Sequence, residues 1–283
     1  MMVKVVEAKT VLVRSKLPGA EFVVNPYTGC AFGCQYCYAS FIGRFVGEQV
    51  DNWGNYVYAK INAVSVFEAE LARVRRDGRA PSILLSSVTD PYQGVEKKYR
   101  LTRGILEALA REPYPGVVSI LTKSPMVLRD VDLLRQLPRA EVGLTVTTTD
   151  DRLSRFLEVR APLASRRLRT LAELHAAGIQ TYAFLGPLLP HFRYDPGALD
   201  AAFAGIAQTG VSSVFVEHIN LRPYIKRRLL HALKPEPPDV QQVYLDASTE
   251  EHRQALDTMI SGLLEKHRLK LRLNAVLYHN QDQ

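Results

Sequence analysis

Cysteine is scarce in this chain: 283 residues hold 3 of them, Cys30, Cys34 and Cys37. With no even set of spaced cysteines, a disulfide-stapled secreted scaffold is excluded and a reducing compartment is expected. Long apolar runs are missing too, so no stretch reads as a membrane span. Residues Met1 to Thr10 mix Lys and Glu instead of offering a signal-peptide core, so a cytoplasmic location is expected. There is no internal repeat beyond a β/α unit, no low-complexity linker and no segment with a disordered composition. Charge of one sign is only mildly in excess: Lys and Arg number 36 against 29 Asp and Glu, a net +7. That is a modest attraction for polyanions, and no aromatic-basic motif accompanies it, so charge alone serves solubility as well as nucleic acid contact. The 47% apolar content is ample for one large domain with a sizeable core.

What is present is concentrated. All three cysteines lie within the stretch Asn25-Pro26-Tyr27-Thr28-Gly29-Cys30-Ala31-Phe32-Gly33-Cys34-Gln35-Tyr36-Cys37-Tyr38, at the spacing C-x3-C-x2-C. Three thiolates can hold three corners of a [4Fe-4S] cube, and Gly29 and Gly33 let the backbone wrap closely enough for them to converge. No fourth cysteine exists, so the fourth iron is left open to another ligand. The competing readings are a zinc knuckle completed by a His, or three buried thiols. Zinc sites read as paired C-x2-C units, or as C-x2-C with a distant His pair, and this stretch is neither.

The pattern C-x3-C-x-(aromatic)-C, with Tyr36 as the aromatic, resembles the signature of the radical S-adenosylmethionine (radical SAM) superfamily. The resemblance implies that the open iron chelates the amino and carboxylate groups of S-adenosylmethionine. It further implies that one electron cleaves that cofactor to methionine and a 5'-deoxyadenosyl radical, and that an electron donor such as flavodoxin or ferredoxin is a partner.

Along the chain, Val3, Val5, Val11 and Val13 alternate before a Pro18-Gly19 turn and read as an N-terminal extension or short strand pair over residues 1–20. The β-rich run Phe22-Val23-Val24 leads into the cysteine loop, which is expected to hang off that strand. Aromatics between Ala39 and Ala63 are expected to pack over the cluster, with Tyr56 to Lys60 as a short strand. Val66 to Arg76 has helical spacing, ended by Asp77-Gly78. Strands are predicted at Ser82 to Leu85, Val117 to Leu121, Val142 to Val146, Ile179 to Leu185 and Ser213 to Val216. Helices are predicted between them at Leu101 to Arg111, Val127 to Gln136, Leu163 to Ala177 and Ala198 to Gln208. With the strand before the cysteines this makes six β/α units, an α/β fold with a parallel sheet. A doubly wound sheet would give the same alternation. The family resemblance implies a partial (β/α)6 barrel over residues 21–220, and residues 221–283 read as a C-terminal α/β cap of the same domain. That cap holds a basic stretch, Asn220 to Lys234, a helix at Thr249 to His267 and a last strand at Lys270 to Leu277.

In a barrel the chemistry sits at the carboxyl ends of strands. Ser86, Thr89 and Asp90 follow the second strand and offer hydroxyls and a carboxylate to an ammonium group, although they are also ordinary turn residues. Lys123 follows the third strand and would meet the cofactor carboxylate. Thr145 and Thr147 share one face of the fourth strand and could contact a ribose. Gly186 would allow close approach to an adenine. Glu217, His218 and Asn220 end the sixth strand and are the candidates for substrate contact or acid-base work. Arg152, Arg155, Arg160, Arg166, Arg167 and Arg169 form a cationic segment that reads as a solvated face.

The stretches Asn25 to Tyr38, Ser86 to Lys98, Leu121 to Pro125 and Thr147 to Asp150 together resemble the spore photoproduct lyase-like, or DNA repair photolyase-like, group. That resemblance implies a hydrogen-relay role for Tyr36 and Tyr38 and a cofactor-carboxylate role for Lys123. It breaks at Ser87, which stands where that group's lyase has its cysteine hydrogen donor. An O–H bond is too strong to return hydrogen to a carbon radical as S–H does, so the repair cycle is not supported. The leading reading is a radical SAM enzyme whose substrate, a nucleic acid among the options, is unidentified. The alternative is a non-catalytic Fe–S or metal-binding nucleic-acid adaptor.

Overall fold

The computed structural model describes residues 1–76 and 78–278. Eleven strands occur among them: β1 (Met2–Val6), β2 (Leu12–Arg14), β3 (Phe22–Val24), β4 (Tyr27–Thr28), β5 (Tyr56–Lys60), β6 (Ile83–Leu85), β7 (Val118–Thr122), β8 (Ala140–Val146), β9 (Gln180–Leu188), β10 (Ser213–His218) and β11 (Lys270–Leu271). The helices are α1 (Ala63–Val74), α2 (Glu96–Tyr99), α3 (Leu101–Arg111), α4 (Val131–Leu134), α5 (Asp151–Leu157), α6 (Ala164–Ala176), α7 (Pro196–Ala207), α8 (Pro223–Ala232), α9 (Pro238–Asp246) and α10 (Glu250–Lys266).

Local chemistry explains the boundaries. Asp150 caps α5 by accepting from the Arg152 and Leu153 amides at 2.7 and 3.3 Å. Asp195 caps α7, with Pro196 in the first turn, and Thr249 caps α10 ahead of Glu250 and Glu251. Helix α3 buries Leu101, Ile105, Leu106 and Leu109 on one side. The predicted helix at Val127 to Gln136 is broken, a 3-10 turn at Pro125–Asp130 preceding α4. Helix α1 ends at Val74, and Asp77, expected to help end it, lies outside the described residues.

The main sheet runs β11-β10-β9-β8-β7-β6-β3-β2, with every neighbouring pair parallel except β2 with β3. The six strands from β3 to β10 therefore lie side by side in chain order. Parallel crossovers are right-handed, and an order without reversal places successive helices on the same face. This decides between the two architectures that periodicity left open, in favour of an open barrel; β2 and β11 form separate edges, so it does not close. Register separates the faces. Val118, Ile120, Val142, Leu144, Val146, Ala183, Leu185, Val214 and Val216 point to the helices and are fully buried. Their alternates, including Ser119, Thr145, Tyr182, Phe184, Phe215 and Glu217, line the inner face.

Two further expectations fail. The N-terminal strands do not pair with each other: β1 joins β5 in parallel in a small second sheet, β1-β5-β4, whereas β2 runs antiparallel to β3. The last strand is discontinuous, since β11 pairs with β10, a 3-10 turn at Arg272–Asn274 departs, and Leu277 rejoins opposite Glu217. The departure puts Arg272 on the inner face. There it makes hydrogen bonds of 3.0 Å to Glu141 and stacks 4.6 and 4.8 Å from the ring centres of Tyr182 and Phe215. Glu141 begins β8, so this cluster fills the amino-terminal end of the barrel and leaves the carboxyl end as its mouth.

Candidate functional site

The cysteine loop hangs off β4, not β3. After Val24 the chain leaves the main sheet, Tyr27 pairs with Ala59 of β5, and residues 29–37 then turn back towards the barrel. Gly29 has φ +87°, and a Cβ there would stand 2.5 Å from the Tyr56 carbonyl oxygen. Only glycine meets both conditions. Gly29→Ala should therefore give a protein with a lowered thermal midpoint and a reduced iron content after reconstitution, the backbone conformation alone costing about 1–3 kcal/mol. An unchanged midpoint would contradict the assignment.

Side chains from three other segments hold the loop by its backbone. Thr89 Oγ1 and Gln93 Nε2 donate to the Gly29 carbonyl at 2.6 and 3.2 Å, and Gln93 Oε1 accepts from the Ala31 amide at 2.7 Å. Arg160 donates to the carbonyls of Ala31 and Gly54 and to Asn55, and its amide donates to Phe32. Arg228, in α8, donates to the Cys34 carbonyl at 3.3 Å. Cys30 and Cys34 are buried and Cys37 half-buried. Burial raises all three thiols, Cys34 to about 12, and for Cys30 the other two cysteines add to the rise while Lys123 lowers Cys34 and Cys37. Metal-free thiols here hold their protons, which a bound cation must displace.

The three thiols thus lie within electrostatic reach of one another. Among the described residues, no three His, Cys, Asp or Glu side chains are gathered to hold a single metal ion. Thiols alone are the usual donors of an iron–sulfur cluster, and a zinc knuckle would need a fourth ligand, for which these three have no gathered partner among the described residues.

Behind the loop sits a buried polar network that the sequence did not announce. The Tyr36 hydroxyl donates to Glu158, which also accepts from Arg167 and, at 2.9 Å, from Ser154; the Lys123 Nζ stands 3.9 Å away and 5.8 Å from the Tyr36 ring centre. Burial alone would raise the Glu158 carboxyl, but Arg167, Lys123 and these hydrogen bonds outweigh it and hold it at about 2. Arg167 and Arg160 were expected on a solvated face; Arg167 is instead fully buried, whereas Arg160 is exposed as expected and spends its guanidinium on loop carbonyls. One signal for Arg167 was available: it falls in register with the buried Ala164, Leu171 and Leu174 along α6. Arg228 carried the same signal, in step with the buried Ile225 along α8, whereas Glu158 and Gln93 carried none.

The strand-end candidates divide. Lys123, Thr145, Thr147, Gly186 and Glu217 lie on or just beyond inner-face positions, and the charge of Glu217 is felt at Cys37. Ser86 follows β6 with φ +68°, and both its Oγ and the Thr147 Oγ1 are buried with no hydrogen-bond partner among the described residues. Hydroxyls left so at a mouth fit an incoming polar ligand. Asp90 and Thr89 do not. Asp90 accepts from Thr122 Oγ1, the Lys123 amide and the Tyr92 amide, which leaves its carboxylate tying β6 to β7, and Thr89 is committed to Gly29.

His218 is turned away as well. It alternates with Glu217 to the helix side, where it pairs with Asp257 of α10 at 2.8 Å. Burial lowers its pKa, with Asp257 acting in the opposite direction. Asn220 Oδ1 accepts from the Arg222 amide in a local turn. The Tyr36 hydroxyl is spent on Glu158, whereas Tyr38 reaches towards the mouth and donates to the Ser87 carbonyl, and its own carbonyl accepts from Tyr224 at 2.8 Å. Ser87 is held by Asn25, whose Oδ1 accepts from the Ser87 amide at 3.0 Å. Of the aromatics after the loop, Trp53, Tyr56 and Tyr58 are buried beside it, while Phe45 is exposed.

Comparison with known proteins agrees with this geometry. The family model of the radical SAM superfamily matches residues 24–196. An uncharacterized protein of Methanocaldococcus jannaschii is 29% identical over 262 residues, which is 92% of this chain and 93% of that one. One of Mycobacterium tuberculosis is 29% identical over 275 residues, covering 90% and 78%. Among solved structures, spore photoproduct lyase complexed with dinucleoside spore photoproduct superposes with a TM-score of 0.72 over 98% of this chain and 82% of that one, at 17% identity. Streptococcus suis SuiB bound to precursor peptide SuiA gives a TM-score of 0.58 over 91% and 48%, at 13% identity.

Proposed function

This chain belongs to the radical SAM superfamily, and on that premise we propose that it is an enzyme that cleaves S-adenosylmethionine and abstracts hydrogen from a substrate. One observation carries the reading. The chain's three thiols lie on one largely buried loop at a barrel mouth, near Lys123 and the unpartnered hydroxyls of Ser86 and Thr147. A [4Fe-4S] cluster on Cys30, Cys34 and Cys37 supplies, when bound, the electron that cleaves the cofactor to methionine and a 5'-deoxyadenosyl radical.

The chain's own residues do the rest. Lys123, 3.9 Å from Glu158, offers a cation to the cofactor carboxylate. Ser86, Thr145 and Thr147 offer hydroxyls to amine and ribose, and Gly186, packed against Phe184 and Glu217, is the backbone position we assign to the adenine. Glu217, on the inner face near Cys37, is the residue we assign to substrate. Tyr38 stands between the loop and Ser87. Ser87 cannot donate hydrogen as a cysteine does, so lysis of a thymine lesion by that route is not proposed. Substrate class stays between nucleic acid, peptide and small metabolite.

The test is anaerobic reconstitution with iron and sulfide, then dithionite and S-adenosylmethionine. Formation of 5'-deoxyadenosine is expected, and none from a fully loaded protein would overturn the reading. Isotope transfer from candidate substrates into that product identifies the class. The adaptor alternative has weaker support, because Arg167 is buried against Glu158 and unavailable to phosphate, and Arg160, though exposed, is committed to loop carbonyls.

A further inference from the structure

Arg228 of α8 carries an unmet demand beside the cysteine loop. It is 7% exposed, and one of its terminal nitrogens, Nη2, donates to the Cys34 carbonyl at 3.3 Å. The other, Nη1, is buried with no hydrogen-bond partner among the described residues. Arg167, likewise buried, has Glu158 against it. Arg228 has no such carboxylate: Asp51, whose charge reaches it, is exposed and pairs with Arg227 instead. A buried guanidinium left with an idle donor and an unbalanced charge is costly unless an anion arrives to meet it.

What lies beside it is the metal site. Burial works against the charge of Arg228, and Cys37 leads the groups that favour it, ahead of Asp51 and Cys34. The effect is mutual, since Arg228 lowers the Cys37 thiol. The Tyr56 hydroxyl, also buried and without a partner among the described residues, is acted on by both. Lys123 reaches Cys34 and Cys37 too, but Glu158 stands 3.9 Å from it and offsets its charge. Three thiolates with the iron and sulfide of a [4Fe-4S] core make an anion, and reduction adds one negative charge more. A desolvated cation with a spare N–H beside such a group stabilises the reduced form more than the oxidised one, which raises the reduction potential.

We infer that Arg228 is the counter-cation of the metal centre, its unpartnered Nη1 supplying a hydrogen bond to sulfur at Cys37 and so easing uptake of the electron on which cleavage depends. The inference rests on the function proposed above. In that step the centre gains one electron and an external one-electron reductant loses one, while Arg228 transfers neither electron nor proton. It is a positioning residue that acts through the centre and needs no contact with S-adenosylmethionine.

The test is a redox titration of the reconstituted proteins, read from the electron paramagnetic resonance signal of the reduced centre, with Arg228→Met and Arg228→Lys beside the wild type. Arg228→Met is close in size and neutral. It should hold wild-type iron and sulfide, yet shift the balance at a given applied potential about tenfold towards the oxidised form, a midpoint lower by about 59 mV for one electron. Arg228→Lys keeps the charge and should keep most of the wild-type potential. A full centre in Arg228→Met at an unchanged potential would overturn the inference, as would equal shifts in the two variants. Should Arg228→Met assemble no centre, unfolding of the metal-free proteins decides. A full centre in Arg228→Lys, with metal-free Arg228→Met as stable as the wild type, supports the counter-cation, because an unbalanced buried charge has left with the side chain. No centre in either variant, or a destabilised metal-free Arg228→Met, overturns it in favour of a structural pin on the Cys34 carbonyl. A wild type that assembles no iron–sulfur centre overturns the proposed function itself, and the inference with it.

Discussion

Glu158→Gln is expected to lower the stability of the metal-free protein by about 3–5 kcal/mol, the cost of leaving a buried charge without its partner. Both Glu158 and Arg167 are fully buried. Arg167 reaches only carbonyls and the Ser154 hydroxyl apart from this carboxylate. The neutral amide keeps the shape and removes the charge. Replacing both partners, Glu158→Gln with Arg167→Met, should recover much of the loss, since the uncompensated cation goes too. Urea unfolding of the three variants measures this, and a single-variant loss below about 1 kcal/mol would show that Arg167 does not depend on Glu158.

The same residue sets an acid limit. Its folded pKa, about 2, lies below the ordinary 4.5, so the unfolded chain takes up the proton first as pH falls. The contribution is complete above pH 4.5 and disappears as pH falls through the folded value near 2. Subtracting the Glu158→Gln profile from the wild type should isolate a slope in that window. An identical pH dependence in the two proteins would refute the assignment.

Cys34→Ala is expected to abolish cofactor cleavage while leaving the metal-free fold nearly as stable, at a cost of about 1 kcal/mol for one small buried group. The Arg228 contact goes to the Cys34 backbone carbonyl, which the substitution retains. Two cysteines remain, and nothing else in the chain can supply the third thiolate. Iron and sulfide content, unfolding midpoint and 5'-deoxyadenosine yield separate the outcomes. Wild-type yield from this variant would exclude Cys34 as a ligand, and a collapsed midpoint would make its role structural.

The cysteine loop and the β/α alternation were legible in the sequence because both are written locally. Three thiols sit within eight residues, and each strand or helix carries its own period. Helix α3 matches its predicted limits at Leu101 and Arg111 for the same reason. Strand ends were legible only in part. Alternation brings Thr145 and Glu217 to the inner face, but it turns His218 towards Asp257, and the three polar residues read together at that strand end do not converge.

Only the tertiary structure decided which polar groups are committed to holding the site and which face it. Asp90 and Thr89 look like ligand-binding residues until Thr122, Lys123 and Gly29 are brought against them. Arg167 looks solvated until Glu158 is placed beside it, and the exposed Arg160 looks free until the loop carbonyls are. The physical reason is range: thiol spacing and apolar periodicity act over a few residues, whereas the partner of a buried charge or carbonyl is set by packing between elements far apart in the chain. The sequence by itself determined that there is a three-thiol loop on a β/α fold. The order of the strands and the packing of α6 and α8 decided what holds that loop and what faces the mouth.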